Sequence, residues 1–234
     1  MYEAGSGIYK TAARTGEGKM SSEKMFRGIE KSLLLDKRPS QYLEKAGRTE
    51  MFHQPPFQLL DRLKKTKQSS QYHPEGSVWI HTMMVVDVAA ELRIDSRNPR
   101  VFMWAALLHD IGKPSTTRIR RGRITSYNHD LAGEKLTREF LEALTKDEEF
   151  IAAVCGLVRY HMQILYVLKG MDQEKLKEMK SRVDIREAAL LGFCDRMGRG
   201  GADKEMEKEN IKKFLLACGM PEIFSSYEHV RQLN

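Results

Sequence analysis

The sequence predicts an all-α protein, a helical bundle that carries one small β-hairpin. Apolar residues recur at helical spacing from Ser21 almost to the C-terminus. Capping residues and helix breakers bound the periodic segments, as at Asn98-Pro99 before "RVFMWAALLHDIG". One stretch, "TTRIRRGRITSY", replaces the helical pattern with β-branched residues around a central Arg-Gly, which is typical of a short hairpin.

The composition is that of a globular protein with a basic balance. With 234 residues, 41% of them hydrophobic, the chain can form one well-buried domain with extensions, or two small domains. Its 39 basic and 32 acidic residues leave a net charge of +7. That charge allows a polyanionic partner such as nucleic acid, but it also suits an ordinary basic enzyme.

Neither the apolar segments nor the cysteines indicate secretion or membrane insertion. The longest apolar run, Val101 to Leu108, is far shorter than the roughly 20 residues of a membrane span. The N-terminal residues lack the apolar centre of a signal peptide. Cys155, Cys194 and Cys218 are an odd number without paired metal spacing, as expected of reduced thiols. We therefore expect a cytoplasmic protein without a membrane partner, and the sequence leaves its oligomeric state open.

We divide the chain into four segments by composition and periodicity. Residues 1–20 are rich in Gly, Ser and Thr and lack periodicity, so we expect a flexible N-terminal tail. A helical lead-in covers residues 21–73, the core covers residues 74–200, and C-terminal helices cover residues 201–234. No internal repeat is present in the sequence.

Start signals mark two helices of the core. One helix begins after Pro74 and Gly76. Another begins at Asn98-Pro99, where Asn caps the helix and Pro fits its first turn, and we expect Gly112 to close it. The same periodicity continues in "DLAGEKLTREFLEAL", "EEFIAAVCGLVRYHMQIL", "DIREAALLGFCDRMG" and "EKENIKKFLLACG".

The predicted hairpin turns at Arg121-Gly122. This turn pairs Ile119 with Ile124 and Arg120 with Arg123. Because side chains alternate between the two faces of a strand, one face of the ribbon is apolar and the other is basic.

Polar side chains interrupt the apolar faces of several predicted helices. His81, His109 and Asp195 lie on or beside an apolar stripe, and His161 ends another. A single His on such a face is more often a hydrogen-bonded core residue than a ligand, and an Asp near a helix end is often a cap. Together with Asp110 beside His109, however, these residues would bury unmatched charge, which one shared cation satisfies.

These residues carry a resemblance to a known family. The order His81, His109-Asp110, Asp195 resembles the H…HD…D signature of the HD phosphohydrolase superfamily, and "HDIGKP" is a strong local match. His129 in "NHDLAG" and His161 in "VRYH" resemble two further histidines of dinuclear members. The resemblance implies an HD-domain helical bundle with the hairpin between the HD motif and the next His. It also implies one or two divalent ions, drawn from Mg, Mn, Fe, Ni and Zn. Their ligands would be His81, His109, Asp110, His129, His161 and Asp195.

A narrower resemblance extends over roughly residues 38 to 200. "RPSQYLEKAG" and "HPEGSVWIHT" resemble the C-terminal HD part of bacterial tRNA CCA-adding nucleotidyltransferases. The nucleotidyltransferase head of those enzymes needs a Gly-Ser turn followed by an Asp-x-Asp metal pair, and no such pair follows Gly5-Ser6. We therefore expect an HD module without CCA addition. The later signatures of HD-GYP cyclic-di-GMP phosphodiesterases are also missing from the sequence.

The resemblance also assigns roles to individual side chains. His109 and Asp110 would serve catalysis together with Lys113, whose ammonium would also bind a phosphate oxygen. The alternative for Lys113 is a solvated cation beyond a helix C-terminus. Arg199 would bind the substrate, or would instead pair with an acidic side chain.

The implied function is hydrolysis of phosphoester bonds in a nucleotide or an RNA end by metal-activated water. The reaction types in view are 2′,3′-cyclic phosphodiesterase, 2′-nucleotidase and phosphatase. Arg120 and Arg123 would bind substrate phosphates if the hairpin borders the site, and would otherwise be solvated. One alternative is a phosphohydrolase of free nucleotides, such as dNTPs or monophosphates, and another is a non-catalytic helical RNA-binding module.

Overall fold

The computed structural model describes residues 21–233 and confirms the all-α prediction. The predicted flexible tail, residues 1–20, lies outside the described residues. The α-helices in the described part are α1 Ser22–Leu35, α2 Pro39–Ala46, α3 Gln58–Asp61, α4 Val78–Leu92, α5 Pro99–Leu108, α6 Lys113–Thr116, α7 His129–Glu142, α8 Glu148–Tyr160, α9 Gln163–Leu168, α10 Gln173–Arg182, α11 Ile185–Met197, α12 Lys204–Ala217 and α13 Glu228–Gln232. Short 3₁₀ turns lie at Glu50–His53, Arg62–Lys65, Arg93–Asp95 and Pro221–Ser226.

Helix α5 is the centre of the bundle. Every residue from Val101 to Leu108 is buried, as expected of a helix that is apolar on all sides. Helices α1, α4, α8 and α11 pack around it. Trp104 stacks on Phe26 of α1, with ring centroids 4.9 Å apart, so the lead-in shares the core of the central helices. The buried apolar cluster continues into the C-terminal segment as far as Val230.

The helix that precedes His109-Asp110 is shorter than expected. We expected Gly112 to close it, but α5 ends at Leu108, and His109 and Asp110 lie in the turn that follows. Gly112 has a different function, because a Cβ atom there would lie 2.1 Å from the backbone oxygen of His129. The missing side chain therefore allows the close approach of the α7 N-terminus to this turn.

The hairpin has the predicted register. Strands β1 (Arg118–Arg120) and β2 (Arg123–Thr125) are antiparallel, and Ile119 faces Ile124 while Arg120 faces Arg123. Arg121 and Gly122 have φ angles of 49° and 74°, which are the left-handed values of a two-residue hairpin turn. Arg120 and Arg123 are exposed, and so is Ile119.

Helices α7 and α8 form an antiparallel pair against the core. We expected one helix over "EEFIAAVCGLVRYHMQIL", but it breaks after Tyr160, and His161 lies in the turn before α9. Residues Glu148–Leu168 are long and apolar enough to cross a membrane by length and composition alone. More than half of this stretch is buried inside the protein, as in the core helix of a folded bundle.

Candidate metal centre

The ends of five helices bring the six predicted ligands together. His81 lies in the second turn of α4, and Asp195 lies in the last turn of α11. His109 and Asp110 follow α5 directly, His129 is the first residue of α7, and His161 follows the last residue of α8. All six side chains are buried. The residues in question are His81, His109, Asp110, His129, His161 and Asp195.

Four of these side chains form a first group. Nε2 of His81 lies 2.9 Å from Oδ1 of Asp195 and 3.9 Å from Oδ2 of Asp110. Nε2 of His109 lies 3.2 Å from Oδ2 of Asp110 and 4.0 Å from Oδ1 of Asp195. These nitrogen and oxygen atoms are as close together as the ligand atoms of a single metal ion would be.

A second group shares Asp110 with the first. Nε2 of His129 and Nε2 of His161 lie 3.2 Å apart. Their distances to Oδ1 of Asp110 are 3.5 Å and 3.9 Å. Asp110 therefore presents Oδ2 to the first group and Oδ1 to the second, as a carboxylate between two cations would do.

Backbone contacts decide the tautomers of three of the histidines. Nδ1 of His109, His129 and His161 lies 2.8, 2.7 and 2.7 Å from the carbonyl oxygen of the residue three positions earlier. A carbonyl oxygen only accepts hydrogen bonds, so each Nδ1 carries the proton. In a neutral ring, Nε2 is then unprotonated and carries a free lone pair, which is the form in which imidazole binds metals.

This arrangement fits a divalent cation. The facing Nε2 atoms of His129 and His161 cannot hydrogen-bond to each other when neither carries a proton. Nε2 of His109 is buried and makes no hydrogen bond. Buried acceptors without donors are costly, and a cation satisfies them together. The mixed nitrogen and oxygen donors suit Mg, Mn, Fe, Ni or Zn without selecting one.

The two ligand carboxylates stay ionised although they are buried. Burial alone would raise the pKa of Asp110, but the ammonium of Lys113 and the ring of His109 hold that pKa well below its usual range. Burial likewise opposes ionisation of Asp195, and Arg199 and His81 reverse the effect and lower its pKa.

His81 and His161 differ in basicity. Burial alone would lower the pKa of His81, but the adjacent carboxylates of Asp195 and Glu75 outweigh it and raise the pKa. Burial and the neighbouring His129 and His109 lower the pKa of His161 to about 4. His161 is therefore neutral and available as a ligand at neutral pH.

The low pKa of His161 predicts acid sensitivity of the metal-free protein. The pKa is about 4 in the folded state, against 6.5 for the unperturbed side chain. Between these values the unfolded chain binds a proton that the folded chain does not, so the free energy of unfolding falls as the pH drops from 6.5 to 4. This one group accounts for at most about 3 kcal/mol. Urea denaturation across this range measures the effect, and His161→Gln should flatten the slope. An unchanged slope in the variant would contradict the assignment.

The structure places the predicted cationic residues on both sides of the centre. Nζ of Lys113 lies 2.7 Å from Oδ2 of Asp110, and the side chain is buried. Arg199 donates a hydrogen bond of 3.0 Å to Oδ2 of Asp195. Both side chains therefore contact a ligand carboxylate. Arg120 and Arg123 are exposed on the hairpin, and their guanidinium groups make no ion pair within residues 21–233.

Sequence reasoning missed three residues that precede α4. Gln68 accepts a hydrogen bond of 2.6 Å from Nζ of Lys113. Oε1 of Glu75 lies 2.9 Å from Nδ1 of His73 and 2.9 Å from Nδ1 of His81. The "HPEG" turn contains two of these residues, but a Pro-Gly turn usually indicates only a helix boundary.

Comparison with known proteins decides the family. The HD domain matches residues 78–197, which is just over half of the chain. The chain belongs to the HD domain family. HD domains bind divalent metals, and the buried His and Asp cluster described above can hold a metal.

Curated relatives match this chain over part of their own, longer chains. A multifunctional CCA protein of Actinobacillus pleuropneumoniae serotype 5b (strain L20) is 32% identical over 139 residues, which cover 59% of this chain and 33% of that protein. The multifunctional CCA protein of Azoarcus sp. (strain BH72) is 33% identical over 153 residues, covering 62% and 35% of the two chains. That of Pasteurella multocida (strain Pm70) is 26% identical over 211 residues, covering 84% and 48%. The chain thus spans about a third to a half of the length of these relatives, and the predicted similarity to CCA-adding enzymes is confirmed.

Proposed function

We propose that this HD protein is a cytoplasmic, metal-dependent phosphohydrolase that acts on a nucleotide or an RNA end. One observation carries the proposal: Asp110 presents its two carboxylate oxygens to two separate sets of buried nitrogen and oxygen donors. A purely structural ion needs one closed set of ligands, whereas hydrolysis of phosphoesters commonly uses two ions about 3.5–4 Å apart. We therefore favour two ions over one.

The side chains around the centre have separable tasks. A bound divalent cation supplies Lewis acidity, which makes hydroxide available near neutral pH and neutralises charge on a phosphoryl group. Asp110 and Asp195 would hold such a cation with the negative charge of their carboxylates. We assign Lys113, whose ammonium lies 2.7 Å from Asp110, to binding a phosphate oxygen of the substrate. Arg199 either contacts the substrate as well or only orients Asp195.

The surroundings of the centre support a nucleotide or RNA end as substrate. The hairpin lies between His109 and His129 in the chain, and Ser126, just beyond it, accepts the hydrogen bond from Nδ1 of His129. A surface pocket of about 500 Å³ is lined by Arg120, Tyr127 and Asn128, and Asn128 immediately precedes His129. Guanidinium groups bind phosphates, and an exposed Tyr offers a stacking surface for a base. The similarity to multifunctional CCA proteins points in the same direction.

An activity screen tests the proposed function. The metal-free protein is supplied with Mg, Mn, Fe, Ni or Zn and assayed on 2′,3′-cyclic nucleotides, 2′-nucleotides, RNA with a terminal phosphate, and dNTPs. Hydrolysis of RNA ends or of 2′-linked phosphates, dependent on metal and abolished by chelator, is the expected result. Hydrolysis of dNTPs or monophosphates alone would favour the free-nucleotide alternative. RNA binding without hydrolysis by any metal form would favour the non-catalytic module.

The hairpin should matter for polyanionic substrates in particular. Replacing Arg120 and Arg123 with Ser should weaken RNA binding, because two free guanidinium groups no longer release counterions. The slope of log K against log salt should fall by up to about 1.4 for single-stranded RNA. Binding measured at several salt concentrations gives the slope. The matched control replaces Lys24 and Lys31 of α1, which are also exposed, with Ser and should leave the slope unchanged. If the hairpin variant and the control variant bind RNA with the same affinity and the same salt slope, the hairpin arginines are merely solvated.

A further inference from the structure

We propose that Glu75 is a positioning residue that orients His81 through its Nδ1 atom and makes the first cation position the tighter of the two. The first position is defined by His81, His109, Asp110 and Asp195, and the second by Asp110, His129 and His161. The inference rests on the proposed metal centre. It adds to that centre a residue outside the matched HD domain, which begins at residue 78.

Glu75 lies in a segment that we call the site strap, residues 66–77. The strap is closed at its base, where the backbone N–H of Val78 donates to the carbonyl of Thr66 at 3.0 Å. Two strap side chains reach the centre: Gln68 accepts a hydrogen bond from Lys113, and Glu75 contacts His81. The strap therefore contacts residues of both the first ligand group and the predicted phosphate-binding side.

Glu75 is itself held in place as a buried anion. Its side chain is only 3% exposed. The backbone N–H of Gly200 donates to Oε2 at 3.1 Å, and Nδ1 of His73 lies 2.9 Å from Oε1. Glu75 is thus fixed by the loop that follows α11 and by His73.

His81 is the ligand histidine that depends on this anion. The other three histidines donate Nδ1–H to backbone carbonyls, whereas Nδ1 of His81 is buried and has the Glu75 carboxylate 2.9 Å away. The distance is that of a hydrogen bond, and only the direction of the contact departs from good geometry. When Nε2, which faces Asp195, binds a cation, Nδ1 must carry the proton and needs an acceptor. Glu75 is placed to be that acceptor.

The two positions differ in the partners of their histidines. The charges of Asp110 and Asp195 at the first position are offset by Lys113, 2.7 Å from Oδ2 of Asp110, and by Arg199, 3.0 Å from Oδ2 of Asp195. The first position has the Glu75 carboxylate beside Nδ1 of His81, whereas Nδ1 of both histidines at the second position faces a backbone carbonyl. A carboxylate that accepts the distal N–H of a ligand histidine raises the basicity of the ring. Glu75 therefore strengthens binding at the first position.

The same atoms do not form a third cation site of their own. Nδ1 of His73, Oε1 of Glu75 and Nδ1 of His81 are close enough together to hold an ion. However, a cation on Nδ1 of His81 would require the ring to lose both protons, since Nε2 faces the first position. A hydrogen bond to Glu75 needs no such loss, which favours the positioning role.

The experiment compares Mn²⁺ binding by wild type and Glu75→Gln. Gln keeps the size of the side chain and a neutral oxygen acceptor but removes the charge. Titration of chelator-treated protein, followed by calorimetry and by the electron paramagnetic resonance signal of free Mn²⁺, gives the affinity of each class of site. The tighter class should weaken 10- to 100-fold in Glu75→Gln, as for other partners of ligand histidines, and the weaker class should change little.

Glu187→Gln is the matched control. Glu187 is also a buried carboxylate, and it accepts hydrogen bonds of 2.7 Å from Ser96 and from the backbone of Arg97, eight positions before Asp195 on α11. It undergoes the same chemical change without contact to the centre, so its Mn²⁺ affinities should equal those of wild type. A similar loss in both variants would assign the effect to general destabilisation and overturn the proposal.

A second measurement does not depend on the folding of the variant. The imidazole ¹⁵N spectrum of the Zn²⁺-loaded wild type should show His81 protonated at Nδ1 and metal-bound at Nε2. Metal on Nδ1 would overturn the proposal. So would equal Mn²⁺ affinities of wild type and Glu75→Gln. Failure of the wild type to bind any divalent ion would instead refute the proposed function on which this inference rests.

Discussion

Asp110→Asn is expected to abolish phosphoester hydrolysis while the protein remains folded. The substitution removes the charge that both ligand groups share, and it leaves a side chain of the same size in contact with Lys113. A divalent cation contributes several kcal/mol to stabilising the charge of the transition state. Loss of this stabilisation corresponds to a decrease in kcat/KM of at least about 10³-fold. His109→Ala should have a similar effect, because it removes a buried donor from the first group.

Asp95→Asn provides the control for this prediction. Asp95 is also a buried aspartate, and it accepts hydrogen bonds from the backbone of Val230 at 3.2 Å and lies 3.0 Å from Nδ1 of His229. Its replacement can lower stability but should leave kcat/KM near the wild-type value. Far-ultraviolet circular dichroism verifies that the variants keep their helices. Full activity of Asp110→Asn with bound metal would place the chemistry elsewhere in the molecule.

The second large effect concerns the number of ions. Crystals grown with excess Mn²⁺ should show two anomalous peaks about 3.5–4 Å apart, one on either side of Asp110, by the usual spacing of two-metal sites. His161→Ala should lower the stoichiometry from two ions to one, because it removes one of the two imidazoles of the second group. The remaining ion should stay at the first group, which retains all of its own ligands.

His53→Ala is the control for the stoichiometry, since His53 is half exposed and, among the ionisable groups of residues 21–233, contacts only Asp61. It should bind as many ions as the wild type. A single anomalous peak at the first group would refute the two-ion centre. His129 and His161 would then be left as contacts for the phosphate or for proton transfer, and His161→Ala would lower activity without changing the metal content.

Local patterns were sufficient for much of the fold. Helical periodicity located the bundle, and the N-terminal caps at Ser77 and Asn98 lie where the sequence indicated a helix start. The register of the hairpin followed from Arg121-Gly122, because a two-residue turn allows one pairing of its strands. These features depend on residues close together in the chain, and so the sequence alone predicts them.

The C-terminal ends of the metal-binding helices required the tertiary structure. Helix α5 stops at Leu108 and α8 at Tyr160, and in both cases the histidine that follows turns its Nδ1 back to a carbonyl of the helix. This contact competes with continued backbone hydrogen bonding. Apolar periodicity continues through both positions, so it extended the predicted helices too far.

Through its resemblance to the HD signature, the sequence by itself predicted which six residues belong together. Only the tertiary structure showed that Asp110 directs one oxygen to each group, that His129 meets His161 at 3.2 Å, and that Glu75 stands behind His81. The reason is physical. Side-chain direction at a helix end depends on packing between helices that are far apart in the chain, and the contacts of the strap arise from a loop without periodicity of its own.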